Sequence, residues 1–211
     1  MMRTRHVTMM VMAACLVLLF LSPAWAGEPT EQLRGSVDRV IQILDDPKLQ
    51  GETAERRAAV RKVANEIFDF SETAKRALGR HWQTLSEKDR QEFVSLFADL
   101  LERSYISKIE QYRGERIRYA GDSVEGDSAT VKTRLVTKNG TEVPVDYRML
   151  RVGDRWRVYD VSIEGVSLVG NYRTQFNKII QTASYEELVK KMRARDEGLG
   201  GAAPQGKTPR S

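Results

Sequence analysis

The chain has 211 residues, with 34 Lys plus Arg against 29 Asp plus Glu, two His and one Cys. The mild, interspersed positive balance indicates a solvated surface rather than a nucleic-acid groove. One cysteine excludes a disulfide framework, and so few Cys and His exclude zinc sites built on several of them.

Arg3, Arg5 and His6 open the chain, and Val7 to Leu21 is an apolar run broken only by Thr8. Ala24-Trp25-Ala26 then offers the small-x-small pattern of a signal-peptidase site. This predicts a secretory signal peptide over residues 1–26, with the mature chain beginning at Gly27. The apolar run, about 14 residues, is too short to span a bilayer comfortably. Ala13-Ala14-Cys15 has a faint likeness to a lipoprotein cleavage site, but the residues after Cys15 stay apolar where a lipoprotein turns polar. Removal leaves 185 residues, enough for one domain with a real core. It also removes the only Cys and leaves His81 as the only His.

The first half of the mature chain has helical spacing. Thr30 is positioned to cap a helix carrying Leu33, Val37, Val40, Ile41 and Leu44, which ends at Asp45-Asp46-Pro47. Thr53 is positioned to cap a second, with Val60, Val63, Ala64 and Ile67 on one face. The pattern breaks over residues 67–70, and Ser71 restarts a short helix that Gly79 closes. Ser86, with Asp89 three residues on, resembles a capping box for the clearest helix. Its broad stripe is Phe93, Leu96, Phe97, Leu100, Leu101, Ile106 and Ile109, with Tyr105 beside it.

Period two takes over from Arg116. Ile117 and Tyr119, then Val131 and Leu135, then Val145 and Tyr147, then Val161 and Ile163 are predicted to share one face. Arg116, Arg118, Lys132, Arg134, Asp146, Arg148 and Asp160 fall on the other, wet face. Asn139-Gly140 and Gly153-Asp154 supply tight turns. The result is a meander of about four antiparallel strands, covered by helices on its apolar side. Helices follow from about Ser167 to Thr182 and from Ser184 to about Arg195. The fold class is therefore α+β, with a single domain over residues 27–196 and a disordered tail over residues 197–211.

No catalytic constellation assembles from these residues. Gly165-Val166-Ser167-Leu168-Val169 lacks the second glycine of a nucleophile elbow, and a β-meander is the wrong context for one. His81 stands alone between helices, and Asp146 and Asp160 fall among arginines, where ion pairing accounts for them. There is no Gly-rich phosphate loop and no metal-ligand cluster in the sequence. The corner from Val166 to Val169 is the anomaly, because it is apolar where corners are usually polar.

Several motifs together resemble the MlaC family, also called the toluene-tolerance family, of periplasmic phospholipid carriers. They are Phe68-Asp69-Phe70 followed by residues 77–82, the helix from Phe93 through Tyr105, Val145-Asp146-Tyr147, residues 156–160, residues 164–169, and Asn171-Tyr172-Arg173 with Phe176. The resemblance covers about Gly27 to Arg195 and implies a twisted, cone-like, NTF2-like sheet that encloses an apolar pocket with its helices. It implies a soluble periplasmic shuttle that carries phospholipid between an outer-membrane lipoprotein–porin complex and an inner-membrane ABC transporter complex. That role serves outer-membrane lipid asymmetry, without catalysis, cofactor, metal or nucleic acid.

On that basis Val166, Leu168 and Val169 are expected at the pocket mouth, and Val145, Tyr147 and Val161 on its floor. Phe70, Trp82, Phe93, Phe97, Leu100, Tyr105 and Tyr172 are expected in its walls. Arg80 and Arg173 either steer phosphate or are structural, and the arginine-lined sheet face is a candidate docking surface. The alternatives are a carrier of another apolar cargo, such as a lipoprotein acyl chain, and an enzyme on an NTF2-like sheet. The latter needs a carboxylate pointing inward.

Overall fold

The computed structural model describes residues 28–49, 51, 53–112, 114–194 and 199. The expected signal peptide lies outside the described residues. So does the expected tail, apart from Leu199, which is buried against the helical core.

Helix α1 (Glu28–Asp45) is followed by a 3-10 turn at Pro47–Leu49 and by α2 (Thr53–Ile67). Thr30 is not the cap of α1. It is buried inside the first turn, and its hydroxyl donates to Asp122 Oδ2 at 2.5 Å, tying the helix to the sheet. Helix α3 (Phe70–Leu78) is capped by Asp69, whose carboxylate accepts from the Glu72 N–H at 2.9 Å; Ser71, expected to start this helix, is already within it. A 3-10 segment, Gly79–Thr84, leads to the long α4 (Glu87–Glu110). There Ser86 accepts from the Asp89 N–H at 3.2 Å and donates to the Asp89 carboxylate at 2.6 Å, as the capping-box spacing requires.

The sheet has five antiparallel strands in sequence order: β1 (Arg116–Glu125), β2 (Ser128–Val136), β3 (Glu142–Val152), β4 (Arg155–Ile163) and the two-residue β5 (Val166–Ser167). Helices α5 (Leu168–Thr182) and α6 (Tyr185–Arg193) complete the chain, capped by Ser167 and Ser184. Two bulges set the faces, one at Ala120 in β1 and one in β4. Opposite Arg148 and Met149 lie Asp160 and Val158, so Tyr159 is an extra residue in β4. Strict alternation would place Trp156 and Val158 with Asp160. The bulge instead turns Trp156 and Val158 to the same face as Val161 and Ile163.

The interior divides in two. Under the sheet, Leu33 of α1 and Ile67 of α2 pack on Ala129, Val131, Met149, Trp156 and Val158. The Trp156 N–H donates to Gln32 at 2.8 Å and locks α1 across β4. Beyond the β4 edge, α3, α4, α5 and α6 enclose Ala74, Ala77, Leu78, Phe93, Phe97, Tyr172, Phe176 and Leu188. Hydrogen bonds to the β4 backbone join the two parts: the Asp69 N–H donates to the Val158 carbonyl at 2.8 Å, and the Thr73 hydroxyl donates to the Tyr159 carbonyl at 3.0 Å. Ion pairs at the surface link α2 to α4, Arg61 with Glu102 at 2.5 Å and Arg57 with Glu110 at 2.8 Å.

Candidate functional site

The inner face of the sheet is covered unevenly. Register places Ala129, Val131, Thr133 and Leu135 of β2 beside Met149, Tyr147, Val145 and Val143 of β3. Val161 and Ile163 of β4 continue the rows from Tyr147 and Val145. At one end Ala129, Val131, Met149, Trp156 and Val158 are sealed under α1 and α2. Toward the other, Leu135, Val143, Val145, Tyr147, Val161 and Ile163 are all only half-buried, as is Ile117 of β1. Val166, paired with Ile163, is 46% exposed. Three expected floor residues, Val145, Tyr147 and Val161, thus share this face with four other aliphatic side chains.

Tyr147 as a whole keeps some exposure, yet its surroundings are dense enough that desolvation pushes its phenol up to about 12. Desolvation also raises Tyr105, in α4, and Tyr119, in β1, well above the usual phenol range. These phenols are neutral at physiological pH, so they add no charge to the interior.

The apolar corner has a polar anchor. Asp160, expected on the wet face, is 4% exposed. Its Oδ1 accepts from the Val169 N–H at 3.0 Å, and its Oδ2 accepts from the Ser167 hydroxyl at 2.6 Å and pairs with Arg148 at 3.6 Å. The carboxylate is buried because α5 starts directly over it; it satisfies the free N–H of Val169, while Ser167 Oγ accepts from the Gly170 N–H at 2.9 Å. This fixes the sheet-to-helix reversal and splits the three apolar corner residues among three environments. Val166 is outside, Leu168 half-buried and Val169 buried in the helical core.

Four expected wall residues and one expected mouth residue, Val169, sit inside that core. Phe93, Phe97, Leu100, Val169 and Tyr172 are each at most 5% exposed. Their rings close on one another: Phe97 lies edge-on to Tyr172 at 5.1 Å and to Phe176 at 5.2 Å, and Phe93 edge-on to Phe176 at 5.7 Å. Trp82 and Tyr105 pack half-buried on the outside of this cluster, and Phe70 stacks on Phe68 at 5.8 Å.

Among the described residues no group of three or more His, Cys, Asp or Glu is placed to hold a metal ion. His81 Nε2 lies 3.0 Å from Asn177 Oδ1, and Asp160 is fully occupied as a helix cap, so neither is poised as an acid or base. A further feature is a cleft of about 390 Å³ between α3, the 3-10 segment, β3, β4 and α5. Its charged lining is Glu72, Lys75, Arg76, Arg148, Asp160 and Arg173, with Trp82 and Val169 at its sides. No helix among the described residues is long and apolar enough to cross a membrane.

Fold and site together define an α+β protein with an open antiparallel meander whose inner face is half covered by helices. The same architecture occurs in the phospholipid-binding protein of Ralstonia solanacearum, solved in complex with a phospholipid; the two superpose with a TM-score of 0.72 at 26% identity, over 82% of this chain and 98% of that one. This chain belongs to the MlaC protein family, whose profile matches residues 34–194. It is also 23% identical over 141 residues to the intermembrane phospholipid transport system binding protein MlaC of Haemophilus influenzae. That match covers 64% of this chain and 66% of the relative's length.

Proposed function

We propose that this protein is a soluble periplasmic phospholipid carrier whose acyl tails lie against the half-open end of the sheet's inner face. The carrying observation is that Leu135, Val143, Val145, Tyr147, Val161 and Ile163 present a contiguous apolar surface without the burial their neighbours on the same strands have. Family membership and the phospholipid in the Ralstonia protein support the same reading. A tail of roughly sixteen carbons costs about 12 kcal/mol to expose to water, at about 0.8 kcal/mol per methylene. A lipid crosses an aqueous gap at a useful rate only with such a surface around it. Phe70 and Tyr105 border the tail space, Leu168 and Val166 form its rim, and the headgroup stays in water.

Transfer needs little net driving force, because bilayer and carrier are both apolar and burial largely cancels. A difference of about 1.4 kcal/mol shifts the partition tenfold. Direction is therefore set by the membrane complexes at each end, an outer-membrane lipoprotein–porin assembly and an inner-membrane ABC transporter. The chain itself works by binding, without catalysis or cofactor.

Native mass spectrometry of the full chain, followed by lipid extraction, tests this reading. The expected result is a stoichiometric phospholipid that is lost on delipidation and regained from vesicles. A preparation that neither carries nor takes up phospholipid overturns it.

A further inference from the structure

The charged cleft lies apart from the inner sheet face. Its lining comes from α3, the 3-10 segment, β3, β4 and α5, and Arg148 points to the opposite side of β3 from Tyr147. Four cations and two acids line it, and the acids are already engaged. Glu72 receives Arg76 at 2.8 Å and Lys75 at 3.3 Å. Asp160 holds the start of α5 and Arg148. The Arg76 guanidinium also sits over the Tyr159 ring, 4.0 Å from its centroid.

Arg173 is different. It lines the cleft, is exposed, and has no hydrogen bond or ion pair among the described residues. Its stem runs along Gly79, where an added Cβ would meet Arg173 Cδ at 3.4 Å. Gly79 also has φ +56°, a conformation that L side chains rarely adopt. The bare backbone at the end of α3 thus gives the Arg173 stem its resting place.

We infer that this cleft is a binding site for one phosphate-type oxyanion, with Arg173 as its principal ligand and Lys75, Arg76 and Arg148 completing the charge. The lining has a surplus of two positive charges, which a phosphate ester matches. Cations converging from α3, β3 and α5 suit a tetrahedral anion better than a planar carboxylate, which one guanidinium fork would satisfy. The volume falls within the roughly 300–1,000 Å³ of small-molecule sites. The phosphate is either that of a free water-soluble ester or that of a lipid headgroup.

Calorimetric titration of the full chain with glycerol 3-phosphate, and separately with inorganic phosphate, tests the site. The expected result is saturable one-site binding that Arg173→Ala weakens by about tenfold or more, as loss of a charge-assisted pair should. Arg34→Ala, on α1, leaves it unchanged. Lys75→Ala provides a second reading if Arg173→Ala lowers the yield of folded protein. Absence of saturable binding, or binding indifferent to both Arg173→Ala and Lys75→Ala, overturns the inference. Repeating the titration on protein loaded with dioleoylphosphatidylglycerol separates the sources. Competition identifies the headgroup as the occupant, and undiminished binding identifies a free ester. The titration with soluble ester does not depend on lipid uptake, so failure of the carrier reading leaves its outcome legible.

Discussion

The two ends of the sheet's inner face are built from the same strands and similar residues, yet they do different things. At the Met149–Trp156 end, α1 and α2 close over the strands and seal Ala129, Val131, Met149, Trp156 and Val158. At the Val145–Ile163 end, comparable aliphatics stay half-buried and the reversal into α5 is pinned by a buried carboxylate. A protein that needed only stability would bury both ends. The contrast separates an end that holds the molecule together from one whose apolar side chains stay partly open to water.

Several substitutions break or sharpen that contrast. The largest effect is expected at the sealed end, where Trp156→Ala removes a buried indole and should cost about 3–5 kcal/mol, read as a lower urea midpoint. Next is Asp160→Ala, which strands the Val169 N–H and the Ser167 hydroxyl and should cost about 1–3 kcal/mol in the same measurement. The most direct comparison sets Val158→Trp against Val145→Trp. The first overpacks a filled site and should cost about 1–3 kcal/mol. The second should cost less than about 1 kcal/mol while sharply lowering the phospholipid recovered per protein; equal stability losses at the two positions would dissolve the distinction. Smallest of all, Val166→Ser at the rim should leave stability within about 0.5 kcal/mol and slow lipid exchange with vesicles.

Much of this fold was legible in the chain because its elements obey local rules. The Ser86–Asp89 box, the turn glycines and the alternation in β2 and β3 all specify structure within a few residues. What was not legible depends on events that alternation cannot register. The extra residue at Tyr159 flips the parity of β4, so a strict period of two misreads Trp156 and Val158. Asp160 sits on the side expected for it, but nothing in its neighbours signals that α5 will begin over it and exclude water. The stripe of α4 was visible as apolar, whereas its closure onto Tyr172 and Phe176 depends on partners nearly eighty positions away. Arg173 stood out as a candidate phosphate contact, but its assembly with residues 72 to 169 into a charged cleft was invisible for the same reason.

The length of α4 has a mechanical consequence. Its inner side packs into the helical core along most of its length, with interlocking rings against α5 in the first half, whereas its link to α2 is made by solvent-exposed ion pairs in the second half. Such pairs are weak and are screened by salt, while ring packing is not. Raising the salt concentration is therefore expected to loosen the α2–α4 seam before the α4–α5 seam, which amide hydrogen exchange along α4 would register.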